Sequence, residues 1–264
     1  MKCMPAGQFI PGSSIIHRLD ARAKLLCFFA LLAAVVATSQ VWGYVCIFCV
    51  IAAILLLAWL PVSISLTSVR QLWAFFIVIF CMNALFFDAA HPLWSWWIFR
   101  PSAEGMVQGA SVALRVALVL LLSNALTCTT APMDITSALE SLMKPLQLLR
   151  VPVEEIAMII SAAIQFIPTL AEETEQIRKA QTARGARFES KKLTEKAASI
   201  LPLVIPIFLS AFRRADELSL AMEARGYRSA RYRTKKETHP LHRPDFAALA
   251  ASGAVCFLQF CILG

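Results

Sequence analysis

Apolar positions fall into two kinds of pattern along this chain. The first is continuous: residues 25–41, 44–60, 72–87, 105–130 and 246–263 are runs with almost no charge, and residues 25–69 carry none at all. A helix needs roughly 20 apolar residues to cross a bilayer, with a range near 17–25, so these five runs predict membrane spans. The second pattern is periodic. Ile156, Ile160, Ile164, Ile167, Leu170 and Ile177 recur at helical spacing, with Glu172, Glu173, Glu175, Arg178 and Lys179 between or after them. Further on, Ile200, Val204, Phe208 and Phe212 form one i,i+4 row, flanked by Leu201, Ile205 and Leu209. Both segments predict long amphipathic helices with wide apolar faces. They are too polar for simple spans and too apolar to stand in water, so they are expected to lie at the cytoplasmic bilayer surface, packed on other helices. Pro202 and Pro206 are expected to kink the second of them.

Each amphipathic pattern stops at the same tripeptide, Ala183-Arg184-Gly185 and Ala224-Arg225-Gly226. Glycine directly after a periodic run is the residue expected just past a helix C-terminus. Each arginine then sits where a cation complements the helix dipole and projects beyond the helix end. One such end is an ordinary cap; two, ending two long helices of a membrane protein, point to a docking device.

Between these landmarks the chain divides into a cytoplasmic lead-in (1–24), a four-helix membrane region (25–130), a cytoplasmic or interfacial region (131–245) and a last membrane helix (246–264). Arg18, Arg22 and Lys24 abut the first span and place the N-terminus in the cytoplasm; Asp20, four residues before Lys24, suits an i,i+4 pair. Trp42 and Tyr44 mark an interfacial turn, and Pro61 ends the second span. Residues 62–71 read as a short interfacial segment. Trp94, Trp96 and Trp97 in the loop 88–104 read as an aromatic belt at the outer surface. In the fourth span Gly105, Gly109, Ala113 and Ala117 stand at i,i+4 spacing, a row of small residues that lets another helix approach closely. Arg115 lies in the same span. A charge there costs about 2.5–3.5 kcal/mol on insertion scales, so it must face protein, a cavity or a partner, and structural pairing is favoured.

Composition agrees with the pattern. Of 264 residues 58% are hydrophobic and 16% charged, with a mean hydropathy of +0.66. Soluble domains are nearer 45–50% apolar and about 25% charged. The net charge of +8 is uneven, more than half of all charges falling in 172–245. The basic residues there alternate with acids and lack the interleaved aromatics of a base-stacking surface, which argues against nucleic acid. The eight cysteines are scattered, mostly in apolar runs. Cys46 and Cys49 have neither a second pair nor a histidine nearby, so no metal site is expected. There is no phosphate-binding Gly-x-x-x-x-Gly-Lys-Ser/Thr loop, no His-Glu-x-x-His and no Gly-x-Ser-x-Gly, and an enzyme is not expected. The chief alternative is a self-sufficient secondary transporter or channel, a class that usually shows internal repeats and broken midplane helices.

Taken together, Phe9-Ile10-Pro11-Gly12, His17-Arg18-Leu19-Asp20-Ala21-Arg22, Phe166-Ile167-Pro168 and the paired Ala-Arg-Gly ends resemble the transmembrane T component of energy-coupling factor (ECF) transporters. The resemblance covers almost the whole chain, and the paired ends are its specific part. Ala21 stands where that family often has proline, and Gln165 where arginine is common. The resemblance implies an all-α scaffold in the cell membrane, part of an importer of vitamins or other micronutrients. It implies two partner ATP-binding-cassette ATPases, which bind ATP and Mg while this chain binds no cofactor, with Arg184 and Arg225 seated in grooves of the two. It also implies that a substrate-binding S component rests on the apolar face of Ile200, Val204, Ile205, Phe208 and Phe212.

Overall fold

A computed structural model describes residues 12–38, 40–59, 62–86, 103–149, 151–186, 188, 193–227 and 242–263. Phe9-Ile10-Pro11, the tryptophans of the 88–104 loop and most of the basic stretch after Tyr227 lie outside them. The described residues are all-helical, as the pattern predicts. In order they form α1 (Ala21–Ala37), α2 (Val41–Leu57), α3 (Val62–Gln71), α4 (Trp73–Phe86), α5 (Ala103–Thr129), α6 (Pro132–Met143), α7 (Val153–Ala183), α8 (Leu193–Ala224) and α9 (Arg243–Leu258). A 3-10 segment, Lys144–Leu149, follows α6, and α9 finishes in one π turn, Gln259–Leu263. The chain forms two compact units, one of residues 1–141 with 238–264 and one of residues 142–237.

The first unit is built around α5, on which α1, α2, α3 and α4 pack, while α9 packs on α1. Its core joins Leu31, Ala34 and Val35 of α1 to Tyr44, Ile47 and Ile51 of α2 and Leu118 and Leu122 of α5. Outside that core, Phe29, Phe48, Val78 and Val107 are all exposed. An apolar surface of that extent suits lipid and not water. Glu104–Thr129, Val153–Ala183 and Arg243–Cys261 are long and apolar enough to cross a bilayer, and Trp42–Leu57 and Trp73–Leu85 are shorter apolar helices. The segment Val153–Ala183 meets that requirement although its pattern reads as a surface helix; between Glu155 and Glu172 it carries no charge. Helix α3, read from its pattern as an interfacial segment, packs on α5 beside α4.

The small residues of α5 explain how closely α4 approaches. A Cβ on Gly105 would stand 2.7 Å from the Asn83 carbonyl oxygen, and one on Gly109 3.0 Å from that of Phe80. Backbone therefore lies on backbone, without the gap that side chains impose. The order of these contacts makes α4 and α5 antiparallel. Ala113 and Ala117 continue the row as half-buried residues.

Arg115 meets part of its insertion cost with protein partners through one end of its guanidinium, while its buried Nε makes no hydrogen bond. Its Nη2 donates to the Thr38 carbonyl at 2.7 Å and to the Tyr44 hydroxyl at 2.9 Å. Tyr44 in turn donates to the Thr38 carbonyl at 3.1 Å, and the fully buried Gln259 donates to the Gly43 carbonyl at 3.0 Å. One polar cluster thus joins α5, the α1–α2 turn and the end of α9, where an unpaired polar group would cost several kcal/mol.

At the opposite end of α1 a second polar tie closes the unit. Asp20 caps α1, its Oδ1 accepting from the Arg22 amide at 2.9 Å. The buried Asp245 caps α9, its Oδ2 accepting from the His242 amide at 2.7 Å, and its Oδ1 reaches across to accept from the Asp20 amide at 2.9 Å. Lys24 does not form the i,i+4 pair with Asp20 that the spacing predicts. Its ammonium donates to the carbonyls of Thr129, at 3.0 Å, and His17, at 3.3 Å, so it closes the C-terminus of α5 instead. A cation at that position also complements the α5 dipole.

Asp245→Ala should leave the part-buried amides of Asp20 and His242 without their acceptor and lower stability by about 2 kcal/mol, since bonds to charged acceptors contribute roughly 1.5–3 kcal/mol each. Asp245→Asn keeps one acceptor oxygen and should cost less. Thermal unfolding of the purified protein in detergent checks the order; equal melting temperatures for wild type and Asp245→Ala would refute the tie.

Candidate functional site

The second unit is chiefly α7 and α8. Both are continuous through internal prolines, Pro168 in α7 and Pro202 and Pro206 in α8. Proline lacks the amide that would bond four residues back. The carbonyls of Ile164, Ala198 and Pro202 therefore lose their usual helical donors, and those turns are the softest parts of two otherwise stiff rods.

The two Ala-Arg-Gly ends are built alike, bond for bond. At the end of α7 the Gly185 amide donates to Thr182 at 3.0 Å and the Ala186 amide reaches back to Gln181 at 3.0 Å. At the end of α8 the Gly226 amide donates to Glu223 at 2.8 Å and the Tyr227 amide to Met222 at 2.9 Å. These paired bonds define the Schellman termination, which requires a left-handed residue in the glycine position. Gly185 has φ +93° and Gly226 φ +66°. A Cβ at either would meet no atom within 4 Å, so backbone conformation and not crowding demands glycine. With the last carbonyls satisfied internally, Arg184 and Arg225 are not needed as caps. Both are exposed, as are Ala183 and Ala224 beside them.

Upstream of the second end, α8 presents Ile200, Val204, Ile205, Phe208 and Phe212, every one of them exposed. Phe208 and Phe212 are 61% and 55% exposed and stack edge to face, with ring centroids 4.8 Å apart at 74°. They form a preformed aromatic ridge with no cover inside their own unit. In α7, Glu175 pairs with Arg178 at 3.0 Å and Lys179 at 3.8 Å.

Where α7 and α8 meet, Phe166 of the Phe-Ile-Pro motif and the surface acid Glu173 come together with Arg214, which no sequence motif singles out. The Arg214 guanidinium lies 3.6 Å from the Glu173 carboxylate and 5.5 Å from the Phe166 ring centroid. Next to this contact a groove of about 500 Å³ is lined by Phe166, Ala211, Ala215, Leu218, Met222 and Tyr227, among others. The Tyr227 hydroxyl lies 3.0 Å from Met158 Sδ. Among the described residues no group of three or more His, Cys, Asp or Glu side chains is placed to hold a metal ion.

Comparison with known proteins agrees with this architecture. A family model described as CbiQ, cobalt transport protein, matches residues 12–237. The energy-coupling factor transporter transmembrane protein EcfT of Acidaminococcus fermentans is 40% identical over 261 residues, covering 97% of this chain and 94% of that one. Its namesake in Ruminiclostridium cellulolyticum is 38% identical over 258 residues, covering 97% and 95%. That of Bacillus subtilis is 37% identical over 235 residues, covering 89% of each. With matches of this extent laid over an all-helical membrane fold, the chain belongs to the CbiQ family of energy-coupling factor transporter transmembrane proteins.

Proposed function

We propose that this chain is the non-catalytic coupling subunit of an ECF-type importer, and that Arg184 and Arg225 are its mechanical links to two ATP-binding-cassette ATPases. The observation that carries this reading is the pair of matched helix ends, whose hydrogen bonds are closed internally and whose arginines are exposed. A guanidinium free of capping duty suits a forked contact with a carboxylate in a partner groove. ATP and Mg bind in those partners and not here. The aromatic ridge of α8 seats a small substrate-binding S component, because an apolar face of that size is unfavourable in water. Motion of the ATPases reaches the S component through α7 and α8, and its reorientation carries a vitamin or other micronutrient across the membrane. The N-terminus and residues 131–245 lie on the cytoplasmic side, in keeping with the basic content at 18–24 and 225–243.

The link through the arginines is tested by substrate uptake measured alongside co-purification of the ATPases. Arg184→Glu combined with Arg225→Glu should abolish uptake and strip the ATPases from the membrane. Arg→Lys at either site should also impair uptake. Lysine complements a helix dipole about as well, a term of about 0.3–1 kcal/mol, but it cannot reproduce a forked pair, and breaking a buried pair costs about 3–5 kcal/mol. Wild-type uptake by the double Glu variant would end this reading.

The ridge has its own test. Phe208→Ser with Phe212→Ser removes two large apolar areas, a loss of several kcal/mol if both are buried in the complex. The S component should then be lost on purification while the ATPases remain. The reverse result would mean that the two surfaces are misassigned.

Topology is tested with Ser229→Cys in a background whose eight native cysteines are replaced. An impermeant thiol reagent should reach it in inside-out vesicles only. Labelling from outside intact cells would place this region on the wrong side.

A further inference from the structure

The two helix ends are copies of more than a tripeptide. Residues 171–185 and 212–226 align without gaps, pairing Ala180 with Ala221, Ala183 with Ala224, Arg184 with Arg225 and Gly185 with Gly226. Glu175 aligns with Asp216 and Ile177 with Leu218, so charge and apolar character repeat as well. At one place the charge inverts: Glu172-Glu173 in the first copy is Arg213-Arg214 in the second. The inverted positions are the ones that meet. Arg214 Nη2 lies 3.6 Å from Glu173 Oε2, and the guanidinium carbon sits over the Phe166 ring at 5.5 Å. Glu173 Oε2 is shielded from solvent and accepts no hydrogen bond, so Arg214 is the charge that compensates it.

This contact also has a symmetric place in the pair. Tyr227, just past the end of α8, meets Met158 near the start of α7. The helices are therefore antiparallel, and Arg184 and Arg225 leave the pair at opposite ends. Glu173 stands eleven residues before Arg184, and Arg214 eleven before Arg225. At 1.5 Å per residue each arginine lies about 16 Å along its helix from the contact. No other basic side chain engages Glu173 among the described residues; its neighbour Glu175 is taken by Arg178 and Lys179.

We propose that Arg214, held by Glu173 and Phe166, is a positioning residue that keys the register in which α7 and α8 cross, and so sets the spacing of the two arginine ends. This rests on the coupling role proposed for those ends. A slip of one turn would move the charge off its partner and displace one end relative to the other by about 5 Å. The groove beside the contact and the small Ala211 and Ala215 next to Arg214 leave packing that does not itself specify register.

The test uses the full complex with its ATPases, comparing Arg214→Glu, Glu173→Arg, their combination and Arg214→Lys. Each single reversal should cut substrate uptake about tenfold, as expected for coupled neighbours. The ATPases should still co-purify through the intact arginine ends, and the ATP hydrolysed per substrate imported should rise. The combined swap should recover most of the lost uptake, and Arg214→Lys should fall between, keeping the charge but losing the planar contact with Phe166. Wild-type uptake by both single reversals would overturn the proposal. So would a uniform loss of melting temperature and of bound ATPase that the swap does not repair, since the pair would then only hold the fold. Failure of the coupling role itself reads differently: the double Glu variant of Arg184 and Arg225 would keep its ATPases and its uptake.

Discussion

A helix that stops must still satisfy its last carbonyls, and much of what α7 and α8 present follows from how these two helices do so. At Gly185 and Gly226 the backbone turns left-handed and folds its own amides back onto the final turn. A side chain on an L-residue disfavours that conformation by about 1–2 kcal/mol, so glycine is the natural occupant. Because the turn closes on itself with backbone bonds alone, the side chain of the preceding arginine is not needed to cap the helix end and is exposed. The same geometry in both copies gives two cations with the same local frame on two helices that run in opposite directions.

Rigid ends matter only if the rods that carry them are held in a defined crossing. The contact of Arg214 with Glu173 and Phe166 lies between ends that are equally far from it along their helices. An ion pair that is partly shielded is a modest source of stability, because desolvation offsets much of the attraction. It is a better source of specificity: a slipped register would leave both charges without a partner. The prolines add the complementary property, since turns without a full set of hydrogen bonds bend more easily than their neighbours.

The membrane unit obeys a different constraint. Apolar side chains facing lipid gain little from packing on one another, so helices are joined by close backbone approach and by polar ties. Both are present. Gly105 and Gly109 let α4 lie against α5, and the Arg115 and Asp245 clusters join helices far apart in the chain. Each cluster satisfies a backbone or side-chain group that would otherwise be stranded.

Much of this was legible in the sequence because it depends on local chemistry. Period and composition identify an all-helical membrane chain, glycine after a periodic run marks each helix end, and small residues at i,i+4 mark a packing face. Those signals arise from residues a few positions apart, and helix geometry converts such spacings directly into shape. What pairs across the chain was not legible in the same way. The spacing of Asp20 and Lys24 predicts an ion pair, yet Lys24 turns to Thr129 because α5 ends beside it. Asp245 lies in the first turn of α9, and only the packing of α9 on α1 gives it the Asp20 amide as a second donor. Arg214 and Glu173 are charges on separate helices, and the inverted repeat that relates them gains meaning only once antiparallel packing brings them within reach. A local pattern states what each residue needs; which distant group supplies it was decided by the tertiary structure, because only the packed chain determines which unsatisfied groups are neighbours.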